Sequence, residues 1–261
     1  MRHAFSLVEL SIVLVILGLL TGGILGGQAL IRAAELRSVS SEFERYATAR
    51  ATFRDKYFAL PGDMANATAF WGAADGATGV SATCYATAST GMATCNGNGN
   101  GQLDWGNTAT SAETYRYWQH LANAGLIEGQ YNGAPNGAVG PNMRQSVRGQ
   151  NIPASKLGQA AWYTEWAGPQ PLASLWAWEG DYGNPLYFGV VVPTDIPEHP
   201  ALTPSEAWNI DTKMDDGRPA QGRMRTYKNN TSCNSNLSAS TAEYLLSSTS
   251  LGCNIVILLG S

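Results

Sequence analysis

The sequence is poor in the residues that most often carry catalysis or metal binding. It contains three histidines in 261 residues, and His3, His120 and His199 show no metal-ligand spacing. No serine-hydrolase GxSxG, zinc-protease HExxH or phosphate-loop motif occurs. The sequence therefore predicts no active site, and we expect the chain not to be an enzyme.

Charge is also scarce. Asp, Glu, Lys and Arg make up 14% of the chain, and the formal net charge is −4, so no global positive field attracts nucleic acid. Five basic residues cluster at Lys213, Arg218, Arg223, Arg225 and Lys228. Aspartates accompany this cluster, which favours a solvated surface over a contact with DNA phosphates.

Proline is absent before Pro61, and that stretch contains a long apolar run. Between residues 10 and 27 the polar side chains are Ser11 and Thr21 alone. A helix rises about 1.5 Å per residue, so one that reaches Ile31 matches the ~30 Å hydrocarbon core of a bilayer. We predict a transmembrane segment at about residues 8–31.

Glu9 places one carboxylate near the start of this run. An ionisable residue in such a segment is costly and indicates a functional site. A secretory signal peptide would have a shorter apolar core, of about 7–15 residues, followed by a small-x-small cleavage site. The longer run and its charge argue against that interpretation.

The first ten residues, MRHAFSLVEL, combine a short basic leader with Phe5 and Glu9. This pattern resembles the class III leader of type IV pilins and type II secretion pseudopilins. The resemblance implies that prepilin peptidase cuts between Ala4 and Phe5, that the new amine is methylated, and that Glu9 becomes the fifth mature residue. Ala4 stands where the family usually has glycine. A plain signal anchor is the alternative.

The same resemblance implies the partners and the location of the protein. The chain would span the bacterial inner membrane once with a periplasmic C-terminal domain, and would then enter a pilus or pseudopilus filament beside other subunits. Inside that bundle Glu9 would pair with the amine of Phe5 in a neighbouring subunit, which sets register more than stability. Length favours a structural, minor subunit; the alternative is a pilus-associated surface binding module, either an adhesin or a DNA-uptake subunit.

The helix is predicted to continue beyond the membrane. Apolar residues recur at spacings of three, four and seven, at Leu36, Val39, Phe43, Tyr46, Phe53 and Tyr57. We expect Pro61-Gly62-Asp63 to end this helix. The predicted organisation is a leader at 1–4, a helix at 5–58 and one globular domain at 59–261. The fold class is α+β and pilin-like, with the helix packed on an antiparallel sheet and with loops pinned by disulfides.

Later segments supply the elements of that domain. Thr110 with Glu113, and Thr203 with Glu206, have the spacing of helix-capping boxes. Residues 64–110 are rich in Ala, Gly, Thr, Ser and Asn, which indicates an irregular loop. Aromatic and β-branched residues between 161 and 192 predict strands, and the apolar residues 255–259 predict a central strand.

Four cysteines in an exported chain suggest two disulfides, for which three pairings are possible. The local pairs are the most economical. They join Cys84 to Cys95 and Cys233 to Cys253.

One loop resembles a calcium site. Oxygen-bearing residues alternate at Asn96, Asn98, Asn100, Gln102 and Asp104, with Gly101 at the sixth position. Asparagine replaces every early aspartate, so a metal-free glycine–asparagine turn is the stronger interpretation, and no other cofactor is indicated. A weaker candidate metal site consists of Asp211, Asp215 and Asp216. We expect these residues to lie on the solvent-exposed face and at the end of a short helix.

Overall fold

One helix dominates the described part of the chain. The structure is a computed structural model that describes residues 7–76, 82–89, 91–104, 113–136, 145–192 and 195–260. In these residues the helices are α1 (Leu7–Tyr57), α2 (Ala67–Trp71), α3 (Ala82–Ala86), α4 (Glu113–Asn123) and α5 (Pro204–Met214). The strands are β1 (Ala160–Thr164), β2 (Pro169–Gln170), β3 (Gly180–Asp181), β4 (Leu186–Val190), β5 (Met224–Thr226) and β6 (Ile255–Ile257).

The C-terminal half of α1 buries one face, as the spacing of its apolar residues predicts. Val39, Phe43, Tyr46 and Phe53 are each at most 1% exposed. The helix ends before Pro61, because Phe58 adopts a left-handed φ of 53° and donates its N–H to the carbonyl of Arg54 at 2.8 Å. Pro61 therefore belongs to the next turn and does not itself stop the helix.

Four strands form an antiparallel sheet in the order β1-β4-β6-β5. Ile257 of β6 pairs with Leu186 on one side and with Met224 on the other. All three residues of β6 are buried, which explains why this segment is uniformly apolar. The prediction of a central strand is confirmed over residues 255–257. The short strands β2 and β3 form a separate pair.

Aromatic side chains join α1 to the sheet. The ring centroid of Trp162 on β1 lies 6.5 Å from that of Phe43 and 5.8 Å from that of Tyr46. The indole Nε1 of Trp162 donates to the carboxylate of Glu42 at 2.7 Å. The same carboxylate accepts the backbone N–H of Lys156 at 3.0 Å. Both oxygens of a buried acid are thus satisfied where helix and sheet meet.

Both predicted disulfides are present, Cys84 with Cys95 and Cys233 with Cys253. The first lies in the segment predicted as an irregular loop, which also contains the single-turn helices α2 and α3. Thr110 lies outside the described residues. The second capping box is confirmed, since Thr203 and Glu206 exchange hydrogen bonds at the start of α5. The chain is therefore α+β, with a long N-terminal apolar helix, an antiparallel sheet and two disulfides.

Candidate functional site

The N-terminal half of α1 is uncovered. Every described residue from 7 to 26 is exposed, and each large apolar side chain between Leu7 and Ile31 is at least 50% exposed. Among the described residues, α1 is the helix long and apolar enough to cross a membrane. Ala4 and Phe5, the predicted processing residues, lie outside the described part of the chain.

The polar groups within the uncovered half suit an apolar environment. Ser11 donates its hydroxyl to the carbonyl of Val8 at 2.8 Å, and Thr21 donates to that of Leu17 at 2.9 Å. Both hydroxyl protons are therefore satisfied within the helix. Glu9 lies in the first turn, where a carboxylate also complements the helix dipole.

A second polar centre is built around Asp63, at the far end of α1. Its Oδ1 accepts the N–H of Gly99 at 2.6 Å and of Asn100 at 3.2 Å, and its Oδ2 accepts the N–H of Gly101 at 2.7 Å. Burial raises the pKa of Asp63, although these three hydrogen bonds oppose the shift. The Asn-Gly loop wraps so closely that a Cβ on Gly97 would lie 2.3 Å from the Cα of Asp63.

Glu113 holds the same loop from α4. Its side chain is fully buried, and its two oxygens accept the N–H of Asn98 at 2.9 Å and of Asp104 at 3.1 Å. Burial raises the pKa of Glu113 to about 8. The glutamate predicted as a capping-box partner of Thr110 therefore bonds the loop.

Most of the predicted calcium ligands make hydrogen bonds with the protein itself. Asn98 donates its amide to Asp104 at 3.0 Å, which brings these two together. The amide oxygens of Asn98, Asn100 and Asn96 accept backbone N–H groups from Asn100, Gln102 and Thr68 respectively. The donors that converge on Asp63 make this side of the loop suited to an anion. Calcium binding stays a prediction.

His120 connects the loop region to α4. Its Nδ1 accepts the N–H of Gly62 at 2.9 Å, so its Nε2 carries the proton and donates to the hydroxyl of Thr94 at 2.9 Å. Thr94 in turn donates to the side-chain oxygen of Gln119 at 2.7 Å. Burial, with a smaller contribution from the Arg116 charge, lowers the pKa of His120 to about 3.

Arg116 is fully buried on the same helix. Its Nη2 donates to the carbonyls of Cys84 and Thr87 at 2.8 and 2.7 Å, and its Nη1 donates to Gln119 at 2.8 Å. These bonds tie the disulfide-bonded segment to α4. The helical spacing of Tyr115, Trp118, Leu121 and Ala122 predicts one apolar face for α4. The structure buries the polar side of the helix as well.

The three C-terminal aspartates lie close together, each with an oxygen within 4.8 Å of the others. The expectation that all are wet is wrong for Asp211, which is fully buried. It accepts the hydroxyl of Tyr244 at 2.7 Å and the N–H of Gly217 at 3.2 Å, and burial raises its pKa to about 7. Asp215 accepts the N–H of Met224 at 2.9 Å. These bonds fasten α5 to the chain that follows it.

The basic cluster divides into two groups. Lys213, Arg218 and Arg223 are exposed. Arg225 and Lys228 are partly buried and donate to the carbonyls of Glu179 at 3.2 Å and Leu172 at 2.7 Å. The solvated surface predicted from the sequence therefore applies to the first group.

An open groove of about 1350 Å³ lies at the end of α1. It is bounded by the Asn-Gly loop, by the chain around β3 and by residues 258–260. Aromatic and charged side chains share its lining, among them Phe58, Trp166, Tyr182, Arg54 and Asp181. This mixture can stack a planar or ring-shaped ligand and hydrogen-bond its edge.

Sequence reasoning missed the two acids that organise the loop. Turn and capping signals are local, so they predict Asp63 as part of a helix stop and Glu113 as part of a cap and give no indication of their distant partners. The usable signal is the glycine alternation at Gly97, Gly99 and Gly101, which permits close approach to a backbone as well as a turn.

Comparisons of the chain with protein-family models, with curated proteins and with solved structures find no match.

Proposed function

We propose that this protein is a structural subunit, and more specifically a minor subunit, of a type IV pilus or a type II secretion pseudopilus. The observation that carries the proposal is the division of α1 into two halves. One half presents an apolar surface with no cover from its own domain, and the other buries an apolar face on the sheet. A subunit that first resides in a membrane and then packs by its helix requires this division.

The exposed half would be strongly unfavourable in water. Fully burying a Leu, Ile or Val side chain stabilises by about 1.5–3 kcal/mol, and α1 exposes fifteen large apolar residues between Leu7 and Ile31. A bilayer covers this surface before assembly, and neighbouring α1 helices cover it in a filament. The proposed location is the bacterial inner membrane with the domain in the periplasm, followed by the filament.

Glu9 gives the assembly its register. Prepilin peptidase would remove residues 1–4, which leaves a positively charged amine on Phe5. Within a bundle of apolar helices, the Glu9 carboxylate of one subunit then pairs with the Phe5 amine of another, because burial of either charge alone costs far more than burial of the pair.

The test combines processing with assembly. Mass analysis of the mature chain from the native host should show a start at Phe5 with a methylated amine. Glu9→Gln removes the charge at nearly constant shape, and we expect it to be processed and membrane-inserted but depleted from sheared filaments. Glu44→Gln, the same change on the exposed surface of α1 beyond the span, is the matched control and should assemble normally.

Two results would contradict the proposal. A mature start after residue 25 would indicate ordinary signal peptidase and a released domain. Normal incorporation of processed Glu9→Gln would remove the pairing hypothesis.

The groove favours a second candidate function, a filament-borne binding module. Trp166 and Tyr182 line it beside Arg54 and Asp181. Trp166→Ala should then abolish attachment or DNA uptake while filaments still form. If Trp166→Ala abolishes filaments as well as binding, the groove has a structural role and the second candidate function is wrong.

A further inference from the structure

The domain first attaches to α1 at Arg32. The guanidinium Nε donates to Oε1 of Glu206 at 2.6 Å and its Nη2 to Oε2 at 2.8 Å, a bidentate pair. Burial alone would raise the pKa of Glu206, but the hydrogen bonds from Arg32 and Thr203 lower it, so the pair is ionic. This attachment lies one residue beyond the predicted span at 8–31.

Helix α5 runs from this point away from the span. Glu206 is in its first turn. Just past its other end, Asp215 accepts the backbone N–H of Arg223, whose guanidinium lies 5.1 Å from the ring centroid of Phe43. Phe43 is about 16 Å further along α1 than Arg32, at 1.5 Å per residue. The beginning of α5 therefore marks the end of the domain nearest to the span.

Strand β6 points in the same direction. It pairs antiparallel with β4, which is preceded by Asn184, whose carbonyl accepts Nη1 of Arg50 at 2.9 Å. The end of β6 therefore lies beside the far part of α1. Before its start, Cys253 accepts the N–H of Ala201 at 2.9 Å, and the carbonyl of Ala201 accepts Nη2 of Arg32 at 3.4 Å. Cys253, and the chain where it enters this residue, consequently lie near the level of Arg32.

The residues that lead into Cys253 form what we term the proximal segment, residues 245–252. Gly252 donates its N–H to Leu202 at 2.9 Å and Leu245 donates to Cys233 at 2.8 Å, which hold both ends in place. Between them Leu246 is 52% exposed and Leu251 is 55% exposed. The intervening residues are serines and a threonine, and the proximal segment contains no charged residue.

We propose that the proximal segment rests in the headgroup layer of the same membrane that α1 crosses, with Leu246 and Leu251 directed into it. The inference depends on the proposed membrane placement of α1. Lipid is the partner of the proximal segment because this segment lies level with the end of an apolar span. Uncharged hydroxyl and leucine side chains suit an interface that is neither fully wet nor fully apolar. Contact at this height would also fix the tilt of the domain, since Arg32 and the proximal segment support it at two points.

Single labels can measure the depth. All four cysteines are in disulfides, so Leu251→Cys and Leu246→Cys each introduce one thiol for a nitroxide. The full chain is reconstituted in phosphatidylcholine vesicles, and collisions of the label with oxygen, which concentrates in lipid, are compared with collisions with a water-soluble nickel chelate. Leu20→Cys, within the span, and Phe58→Cys, at the far end of α1 and 93% exposed, are the two reference positions.

The labels at 246 and 251 should show an oxygen-to-nickel ratio clearly above that at 58 and below that at 20, as expected for the headgroup layer. A ratio at 251 equal to that at 58, with the label at 20 in lipid, overturns the inference and leaves the membrane span intact. A water-exposed label at 20 contradicts the span itself, and the inference with it. If accessibility to both reagents is low and falls further as protein density increases, the proximal segment contacts a second copy of the chain. That result overturns the lipid contact.

Discussion

At the scale of single residues, buried ionisable groups do more to organise this domain than exposed ones. His120, Asp63 and Glu113 each use their side chain to hold backbone N–H groups of the turn after α1 or of the Asn-Gly loop. Loops normally satisfy their backbone with water. Here buried side chains replace that water, so the loop is expected to be rigid.

Protonation of His120 should destabilise the fold. Its pKa is near 3 in the folded chain and about 6.5 in an unfolded one, so the unfolded state binds more protons between these values. Stability should fall as pH falls from about 6.5 towards 3, by at most about 1.4 kcal/mol per pH unit from this group. Thermal unfolding against pH should show a shallower acid slope for His120→Asn than for the unchanged chain. His199→Asn, at a partly exposed position, is the control, and equal slopes in all three chains would contradict the neutral, buried role of His120.

Gly97 should not tolerate a side chain. An added Cβ would lie 2.3 Å from backbone atoms of Asp63, and overpacking of this kind costs about 1–3 kcal/mol. Gly97→Ala should therefore lower the melting temperature of the detergent-solubilised chain. Gly91→Ala, in the same disulfide-bonded segment, meets nothing within 4 Å and should melt normally. A normal melting temperature for Gly97→Ala would mean that the loop does not wrap Asp63 so closely.

At the scale of elements, the Asn-Gly loop is an insert held by side chains from two neighbouring elements. Asp63 follows α1 and Glu113 belongs to α4, and together they accept five N–H groups of the loop. A calcium loop instead turns oxygen atoms towards its centre. The arrangement therefore predicts a loop that is ordered without metal.

Calcium at about 1 mM, the upper end of weak extracellular affinities, should leave the melting temperature of the solubilised chain unchanged. Chelator and calcium are compared on the unchanged chain and on Asp104→Ala, with Asp181→Ala as a matched exposed aspartate. A rise in calcium that Asp104→Ala removes and Asp181→Ala retains would support the metal site predicted from the sequence.

At the scale of the whole molecule, α1 carries two incompatible surfaces on one continuous helix. The domain covers the helix only from Arg32 onward, and the core of the domain is completed by Phe43, Tyr46 and Phe53. The C-terminal half of α1 thus cannot leave the domain without opening the core of the domain. The N-terminal half of α1 is dispensable for this packing.

Removal of residues 1–31 should yield a monomer that is soluble without detergent, because the exposed apolar surface is lost while Arg32 and the buried face of α1 are kept. The full chain should sediment as aggregates or require detergent. Sedimentation velocity distinguishes the two. Removal of residues 1–46 is the contrasting truncation, and it should fail to fold since it deletes Phe43 and Tyr46 from the core. A detergent-free, monodisperse full chain would contradict the membrane interpretation of α1.

Several features could be predicted from local sequence because their causes are local. Periodic spacing indicated the buried face of α1, the Thr203–Glu206 spacing indicated the start of α5, and short separations indicated both disulfides. A run of β-branched and apolar residues indicated β6, since a strand buried on both faces tolerates little else. The apolar run with Glu9 is likewise visible without any structure.

Tertiary structure alone decided which polar residues are buried and what they hold. Nothing in the sequence near Asp63 names its partners, which lie thirty-six to thirty-eight residues away, and Glu206 meets Arg32 across 174 residues. A carboxylate has the same local propensities whether it ends in water or beneath a loop. Burial and long-range pairing depend on how separate elements pack, so only the folded chain shows them.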